Sequence, residues 1–216
     1  MKIALIDYGA GNLHSAGKAL TRALDEIGVT GHVVLGANPD EVAEADRIVL
    51  PGDGAYRDCR EHLAEVDGLE EVLQEQVRVK GRPFLGICVG MQLLSEVGEE
   101  RGETKGLGWI PGRVVALDPK ARHLKVPHMG WNTLRKTGDH PVLDGLPFGE
   151  AGLHAYFLHS YHLLPSDPAD LLATADYGGA VSAIVGRDTV IGTQFHPEKS
   201  QKLGIALLAN FLRWAP

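Results

Sequence analysis

The chain has 216 residues, 44% of them hydrophobic, which is enough apolar material for the core of one globular domain. Its 21 Lys and Arg are outnumbered by 28 Asp and Glu, and the net charge of −7 argues against nucleic-acid and anionic-membrane partners, which need a basic face. The two cysteines form no disulfide framework and fit a reducing cytoplasm, and we expect neither a signal peptide nor a membrane-spanning helix, which needs ~18 consecutive apolar residues.

Strand and helix patterns alternate along the chain. Short apolar runs predict strands at residues 2–7, 32–35, 47–50, 83–87, 108–117, 153–164, 171–175, 181–185 and 189–195. Apolar residues at helical spacing predict helices at residues 13–27, 56–63, 69–79 and 91–94, and from Ser200 to the C-terminus. We expect Gly28 to end the first helix and Ser200 to cap the last one. The final three strands should be neighbours and partly antiparallel, and the absence of a linker or repeat favours one domain.

The turn after the first strand carries two glycines, Gly9 and Gly11, at the spacing that begins a dinucleotide-binding fingerprint. His14 occupies the position of the third glycine, where close helix packing would need the smallest residue. We therefore interpret the turn as a tight βα connection. A surface loop for a partner, with Asn12 exposed, is the other interpretation.

The third predicted strand runs into a glycine loop, Pro-Gly-Asp-Gly-Ala at residues 51–55. Gly52 and Gly54 would let backbone N–H groups approach a ligand closely. The loop is thus either an ordinary turn or half of an oxyanion hole. Cys59 follows in the next helical pattern, and we interpret it as a packing residue.

The sequence is organised around Gly86-Ile87-Cys88-Val89-Gly90, which lies between an apolar strand pattern and a helical pattern. Strand, sharp turn with a nucleophile, and helix is the arrangement of a nucleophile elbow, here with Cys in place of Ser. The flanking glycines leave room beside the sulfur, and the backbone N–H after it is free to hold an oxyanion. Cys88 is therefore a candidate nucleophile.

Two stretches, one polar and one containing an aromatic residue, can each be interpreted in two ways. Residues 96–102 form a polar loop whose carboxylates are either a solvated charge run or include one that binds the amino group of a small substrate. Residues 125–132 contain glycine, proline and Trp131, and predict either an edge strand or an interaction surface.

Histidines are concentrated in one region, with six of the ten between His123 and His162. Their spacing does not match a helical metal-binding pair, and no local Cys or carboxylate completes a ligand set. In a single strand, His159 and His162 would face opposite sides. We expect no metal site.

Cys88 needs a base because the thiolate is the nucleophile, and His196 is the best candidate. It follows the apolar run at residues 190–195, where α/β sheets place functional loops. Glu198 lies two residues further on, so in an extended segment it faces the same way and can orient the imidazole. The order nucleophile, base, orienter follows the general logic of a catalytic triad.

These motifs together resemble a known family, the class I or triad-type glutamine amidotransferases. The resemblance rests on Gly-Ile-Cys-Val-Gly-Met-Gln (86–92), Pro-Gly-Asp-Gly (51–54), His-Ser-Tyr (159–161) and His-Pro-Glu-Lys-Ser (196–200), and covers essentially the whole chain. Further motifs, Asp-Tyr-Gly-Ala-Gly-Asn-Leu-x-Ser (7–15) and Pro-His-Met-Gly-Trp-Asn (127–132), resemble the glutaminase subunits of imidazole glycerol phosphate synthases.

The resemblance implies the fold, the reaction and the partner. It implies one amidotransferase domain over residues 1–216, an α/β fold with a doubly wound, mostly parallel sheet and flanking helices. Glutamine would be hydrolysed to glutamate and ammonia without a cofactor. The ammonia would pass to a separate (β/α)8-barrel cyclase subunit of a cytoplasmic heterodimer in histidine biosynthesis, and the glutaminase would be nearly inactive until partner and ligand are bound.

The resemblance also implies roles for individual residues. The catalytic triad would be Cys88, His196 and Glu198, and the oxyanion hole would use N–H groups of Val89 and of Gly52, Asp53 and Gly54. Glutamine would be held by Gln92, Glu100, His159, Ser160 and Tyr161, and the partner by Asn12, Trp131 and Lys199. Two positions depart from the family pattern, since Val89 stands where Leu is usual and Asp53 where Val is usual. We expect the Asp53 side chain to point to solvent or to pair with a base such as Arg57, because a carboxylate facing the site would oppose the oxyanion.

Three alternatives remain open at this point. The first is another triad glutaminase, serving pyridoxal phosphate, anthranilate or GMP synthesis, against which the motif at residues 7–12 argues. The second is a catalytically silent scaffold that regulates a synthase, against which the intact triad argues. The third is a thiol peptidase or stress protein with a cysteine elbow.

Overall fold

The computed structural model describes residues 1–119 and 124–216. In these ranges the strands, numbered β1 to β14, are Lys2–Ile6, His32–Gly36, Arg47–Gly52, Phe84–Cys88, Val97–Gly98, Thr104–Lys105, Gly112–Ala116, His128–Thr133, Arg135–Lys136, His154–His159, Tyr161–Pro165, Leu171–Asp176, Ala180–Arg187 and Val190–Thr193. The α-helices, numbered α1 to α6, are Leu13–Ile27, Pro39–Ala43, Tyr56–Glu65, Leu69–Leu73, Val89–Gln92 and Gln201–Arg213. Short 3-10 turns lie at Pro141–Leu143, Pro168–Asp170 and Pro197–Lys199.

The main sheet has eight strands in the order β2-β1-β3-β4-β14-β13-β12-β9. The five strands from β2 to β14 are parallel, and β13, β12 and β9 extend the sheet antiparallel. The parallel strands β1, β3, β4 and β14 are buried, mostly apolar runs, as expected for a sheet covered on both faces, whereas the edge strand β2 is partly exposed. The prediction of a mostly parallel α/β sheet ending in consecutive antiparallel strands is confirmed.

Helices cover both faces because the chain reverses direction along the sheet. From β1 it moves outward to β2, then back past β1 to β3 and β4, and right-handed crossovers place α1 on the opposite face from α2, α3 and α4. Helix α6 packs against α1. The carboxyl ends of β3, β4 and β14 therefore meet at one edge of the sheet, beside one another.

The region predicted as one strand at residues 153–164 is two strands in two different sheets. The break falls at Ser160: β10 pairs antiparallel with β8, and β11 pairs antiparallel with β7. His159 and His162 therefore lie on different strands, so the prediction that they face opposite sides of one strand is wrong. The loop predicted at residues 96–102 likewise contains β5, which joins the sheet of β11 and β7.

One of the two predicted helix caps, at Gly28, is confirmed, and the other, at Ser200, is not. Gly28 closes α1 in the left-handed conformation at φ 67°, and Asn12 caps its start by accepting from the Ser15 N–H. Ser200 stands at the start of α6 but does not cap it with its side chain. Its hydroxyl instead accepts from the Tyr156 N–H at 2.9 Å and donates to the His196 carbonyl at 2.6 Å, which ties β10 to the segment after β14.

One helix changes type along its length. The sequence predicts a single helix at residues 69–79, whereas α4 continues into a π-helical segment, Gln74–Val79.

Over the described ranges, no helix combines the length and apolar character needed to cross a bilayer.

Candidate active site

Cys88 lies at the end of β4 in a strained turn. Its backbone has φ 54° and ψ −111°, outside the regions that a non-glycine residue prefers, and α5 begins at the next residue. The turn depends on Gly90, because a Cβ there would run into the carbonyl oxygen of Leu50. The side chain is buried, and Cys88 is opposite Gly52 in the β3–β4 register. This geometry is that of the nucleophile elbow which the sequence predicted.

His196 and Glu198 lie behind the cysteine. The His196 Nδ1 is 2.8 Å from a Glu198 carboxylate oxygen, and both side chains are nearly inaccessible to solvent, with 6% and 3% exposed. The imidazole also interacts with Cys88. Burial alone lowers the pKa of His196, but the interactions with Cys88 and Glu198 outweigh it and raise this pKa from 6.5 to about 10. At neutral pH these interactions favour the imidazolium form of His196, which lies between Cys88 and Glu198.

Gln194 also contacts the sulfur, and the sequence analysis did not identify it. Its Nε2 lies 3.8 Å from Cys88 Sγ, and the residue is fully buried. Its Oε1 accepts from Gln92 Nε2 at 3.1 Å, and the same Gln92 nitrogen donates to the Tyr161 carbonyl at 2.9 Å. The available signal was a polar residue two positions before His196 in an extended segment, where such residues share a face.

The loop at residues 52–54 lies beside Cys88 and is held from behind. The Cys59 thiol donates to the Asp53 carbonyl at 3.4 Å, and burial raises the pKa of Cys59 to about 11, so it stays protonated. Tyr8 packs against Gly52, and its buried hydroxyl has no partner of good hydrogen-bond geometry among the residues that the structure describes. Cys59 therefore does more than pack, because it fixes one peptide of this loop.

The Asp53 side chain is exposed, in agreement with the expectation that it points to solvent. The alternative prediction, that Asp53 pairs with Arg57, is wrong. The Arg57 guanidinium donates instead to Thr104 Oγ1 at 3.1 Å and to the Arg101 carbonyl at 3.4 Å.

A cavity of about 230 Å³ opens over the sulfur. Its lining includes Asp53, Gly54, Val89, Gln92, Glu100, His159, Ser160 and Tyr161, so all five predicted glutamine-binding residues surround it. Glu100 has a structural contact as well, since one of its carboxylate oxygens accepts from the Tyr56 N–H at the start of α3 at 2.8 Å. In the described part of the chain its other oxygen makes no hydrogen bond, and the role of Glu100 as a substrate contact stays a prediction.

His159 lies in the cavity wall and contacts a second buried histidine, His128. His159 Nδ1 is 2.8 Å from the Tyr161 carbonyl, which can only accept, so Nδ1 carries the proton. His159 Nε2 is then an acceptor for His128 Nδ1 at 3.2 Å, and His128 stacks between the rings of Phe157 and Tyr177. Burial lowers the pKa of His159 to about 3 and that of His128 to about 4, so both rings are neutral and serve as positioning groups.

The predicted partner-contacting residues lie at the surface. Trp131 is half exposed on β8 and meets Tyr156 edge to face, and the Lys199 ammonium lies 5.8 Å from the centre of that Tyr156 ring. A cavity of about 290 Å³ opens beside Trp131, toward the start of α6. Asn12 is exposed, and its side chain caps α1.

Residues 1–119 and 124–216 hold no group of three or more His, Cys, Asp and Glu side chains placed to bind a metal ion. His123, one of the six clustered histidines, lies outside the described residues. What the site can do chemically is nucleophilic acyl transfer: a buried cysteine sulfur, an imidazolium able to protonate a leaving group, and backbone N–H groups beside a small polar cavity.

Comparisons with known proteins agree with this chemistry. The family model "Glutamine amidotransferase class-I" matches residues 4–214. Relatives from Rhodopseudomonas palustris and Rhizobium meliloti are 56% and 58% identical over 216 residues, which cover 100% of this chain and of each relative, and both are named "Imidazole glycerol phosphate synthase subunit HisH".

Among solved structures, a putative GMP synthase component from Thermoplasma acidophilum has a TM-score of 0.67 at 22% identity, covering 98% of this chain and 92% of that one. A glutamine amidotransferase from Thermotoga maritima has a TM-score of 0.66 at 16% identity, covering 98% and 96%. These structures share the fold, and the sequence matches add the family. The chain therefore belongs to the class-I glutamine amidotransferase family.

Proposed function

We propose that this protein is the glutaminase subunit of an imidazole glycerol phosphate synthase. It hydrolyses L-glutamine to glutamate and ammonia, and passes the ammonia to a cyclase subunit. The observation that carries the proposal is full-length identity of 56–58% to relatives with that subunit name, and the buried Cys88–His196–Glu198 group supports the chemistry. A glutaminase of pyridoxal phosphate, anthranilate or GMP synthesis is disfavoured, because the relatives that match this chain over its full length at 56–58% identity carry the imidazole glycerol phosphate synthase subunit name.

The first half of the reaction makes a thioester. The Cys88 thiolate attacks the side-chain amide carbon of glutamine, and the amide oxygen becomes an oxyanion. The Val89 N–H and an N–H of the loop at residues 52–54 hold this oxyanion, and one such donor is typically worth ~10²–10³ in rate. His196 protonates the amide nitrogen, the C–N bond breaks, and ammonia leaves a γ-glutamyl thioester on Cys88.

The second half releases glutamate. His196, now neutral, takes a proton from water, whose oxygen attacks the thioester carbon. The C–S bond breaks, its electron pair returns to sulfur, and glutamate departs. Glu198 keeps Nδ1 protonated, so that Nε2 performs both proton transfers.

Glutamine is positioned by polar groups around the cavity. We assign Glu100 to the substrate amino group, because its carboxylate lines the cavity and can pair with a cation there. The carboxylate is also held in place, since one of its oxygens accepts from the Tyr56 N–H at the start of α3. Gln92, Ser160 and Tyr161 contact the rest of the substrate, and His159 holds the turn at residues 159–161 in place.

The partner proposed for this protein is a (β/α)8-barrel cyclase in a cytoplasmic heterodimer, with Asn12, Trp131 and Lys199 at the contact surface. Residues 1–216 act as one amidotransferase domain, and the reaction as written needs neither a cofactor nor a metal. Exposed Trp131, which packs against Tyr156, supports this choice of surface, because Trp and Tyr side chains often anchor interfaces.

The test is glutamate release by the wild type and by Cys88→Ala, each with and without the cyclase and its ligand. Glutamate formation that needs Cys88 and rises on addition of the cyclase supports the proposal. If the complete complex releases no glutamate, the chain is a silent scaffold. A glutamine-derived label on Cys88, in preference to a peptide-derived one, separates a glutaminase from a thiol peptidase.

A further inference from the structure

The orientation of the Gln194 amide is fixed by a chain of hydrogen bonds that begins at a backbone carbonyl. The Tyr161 carbonyl can only accept, so Gln92 must turn its NH₂ group toward it, at 2.9 Å. That NH₂ group can only donate, so Gln194 must present its oxygen to Gln92, at 3.1 Å. The NH₂ group of Gln194 is thereby turned toward Cys88.

Turned this way, Gln194 places a donor with no acceptor character 3.8 Å from Cys88 Sγ. The sulfur must therefore accept, and a thiolate accepts more strongly than a thiol because hydrogen bonds to ionised groups are the stronger ones. His196 approaches the same sulfur and can hold the proton that the thiol loses. Gln194 is fully buried, so water cannot easily replace its N–H if the side chain is removed.

We propose that Gln194 is a catalytic residue that donates a hydrogen bond to the Cys88 thiolate and stabilises the sulfur anion before attack and when it leaves the thioester. During attack the sulfur electron pair forms the C–S bond and the hydrogen bond weakens. When water has added to the thioester, the C–S bond breaks, the electron pair returns to sulfur, and the Gln194 N–H again holds the charge. Gln194 thus makes Cys88 a better leaving group in the step that releases glutamate.

This inference rests on the proposed glutaminase reaction for its effect on turnover, but the hydrogen bond to sulfur can be tested without turnover. Gln194→Met keeps the length of the side chain and removes the donor. Gln194→Glu keeps an oxygen for Gln92 and places an acceptor against the sulfur. Thr193→Val is the matched control, because Thr193 is equally buried on the same segment and its hydroxyl has no partner among the described residues.

The experiment measures the rate of iodoacetamide alkylation of Cys88 as a function of pH, with peptide mass spectrometry to separate it from Cys59. Loss of one hydrogen bond to a charged group should move the alkylation midpoint upward by about one pH unit in Gln194→Met, and by at least as much in Gln194→Glu. Thr193→Val should match the wild type. Glutaminase kcat of the complex with the cyclase should fall by about tenfold in Gln194→Met at neutral pH.

The outcomes are distinguishable. Folded Gln194 variants whose midpoints stay within ~0.3 pH unit of the wild type refute the role of Gln194, even if the complex is an active glutaminase. A shifted midpoint in a complex that releases no glutamate supports the hydrogen bond and overturns the proposed function instead. If Gln194→Met fails to fold, Gln194→Glu still gives the midpoint, and an equal shift in Thr193→Val would show that the effect is only structural.

Discussion

Glu198 provides a sharp test of the imidazolium–thiolate pair. We expect Glu198→Gln, which keeps the shape of the side chain and removes its charge, to lower the pKa of His196. The carboxylate is 2.8 Å from Nδ1, and its second oxygen is buried without a hydrogen-bond partner in the described part of the chain, so its charge is balanced mainly by the imidazolium. Without that charge the imidazolium is less stable, and the proton returns more readily to Cys88.

The structure bounds the size of this effect. Replacing a charge-assisted hydrogen bond by a neutral one costs ~1.5 kcal/mol, or about one pKa unit. Removing the whole attraction between unit charges about 4 Å apart, at an effective dielectric constant of about 20, costs ~4 kcal/mol, or about three units. We therefore expect the His196 pKa to fall from about 10 by roughly one to three units. It should stay above 6.5, because the interaction with Cys88 remains.

The assay is an NMR titration of the His196 ring, paired with glutaminase kcat in the complex. Glu100→Gln is the matched control, because Glu100 lines the same cavity and its structural contact is with Tyr56. It should leave the His196 pKa unchanged, whereas Glu198→Gln should also lower kcat by ~10⁴, as is typical for disabling a triad's orienting acid. An unchanged His196 pKa in folded Glu198→Gln would refute the charge argument.

Further predictions concern stability, substrate binding and activation. Because the pKa of His196 is raised above its unfolded value of 6.5, its contribution to stability is complete below about pH 6.5 and is lost as pH rises to about 10; the difference in free energy of unfolding between the wild type and Glu198→Gln should shrink over that window. Gly90→Ala should destabilise the fold by about 3 kcal/mol, because its Cβ would meet the Leu50 carbonyl, and an unchanged thermal midpoint would contradict this. Glu100→Gln should raise the KM for glutamine by ~10–100-fold with a smaller change in kcat, as steady-state kinetics will show. The isolated chain should release glutamate far more slowly than the complex with ligand-bound cyclase, and equal rates would exclude activation by the partner.

The elbow and the His196–Glu198 pair could be predicted because their geometry is local, and His196 could be linked to Cys88 because it follows a buried strand. A strand, a glycine-flanked Cys and a helix produce the same turn wherever they occur, and His196 and Glu198 are two residues apart. The parallel strands were equally readable, since buried runs such as residues 84–87 leave no solvent face.

The missed features all depend on contacts between distant segments. Gln194 acquires its role from Gln92 and the Tyr161 carbonyl, and nothing near it in sequence reveals either partner. The break at Ser160 depends on which strands pair with β10 and β11. Ser200 has the sequence of a helix cap, but it bonds to Tyr156 and His196 because β10 brings their backbones within reach.

The position of β14 in the sheet also decides when the thiol becomes reactive. This strand lies between β4 and β13, although it follows every other strand of that sheet in chain order. Without β14, β4 would have an open edge, and Cys88 would have neither Gln194 nor His196 beside it. Pairing of β14 with β4 therefore completes the sheet and assembles the groups around Cys88 together.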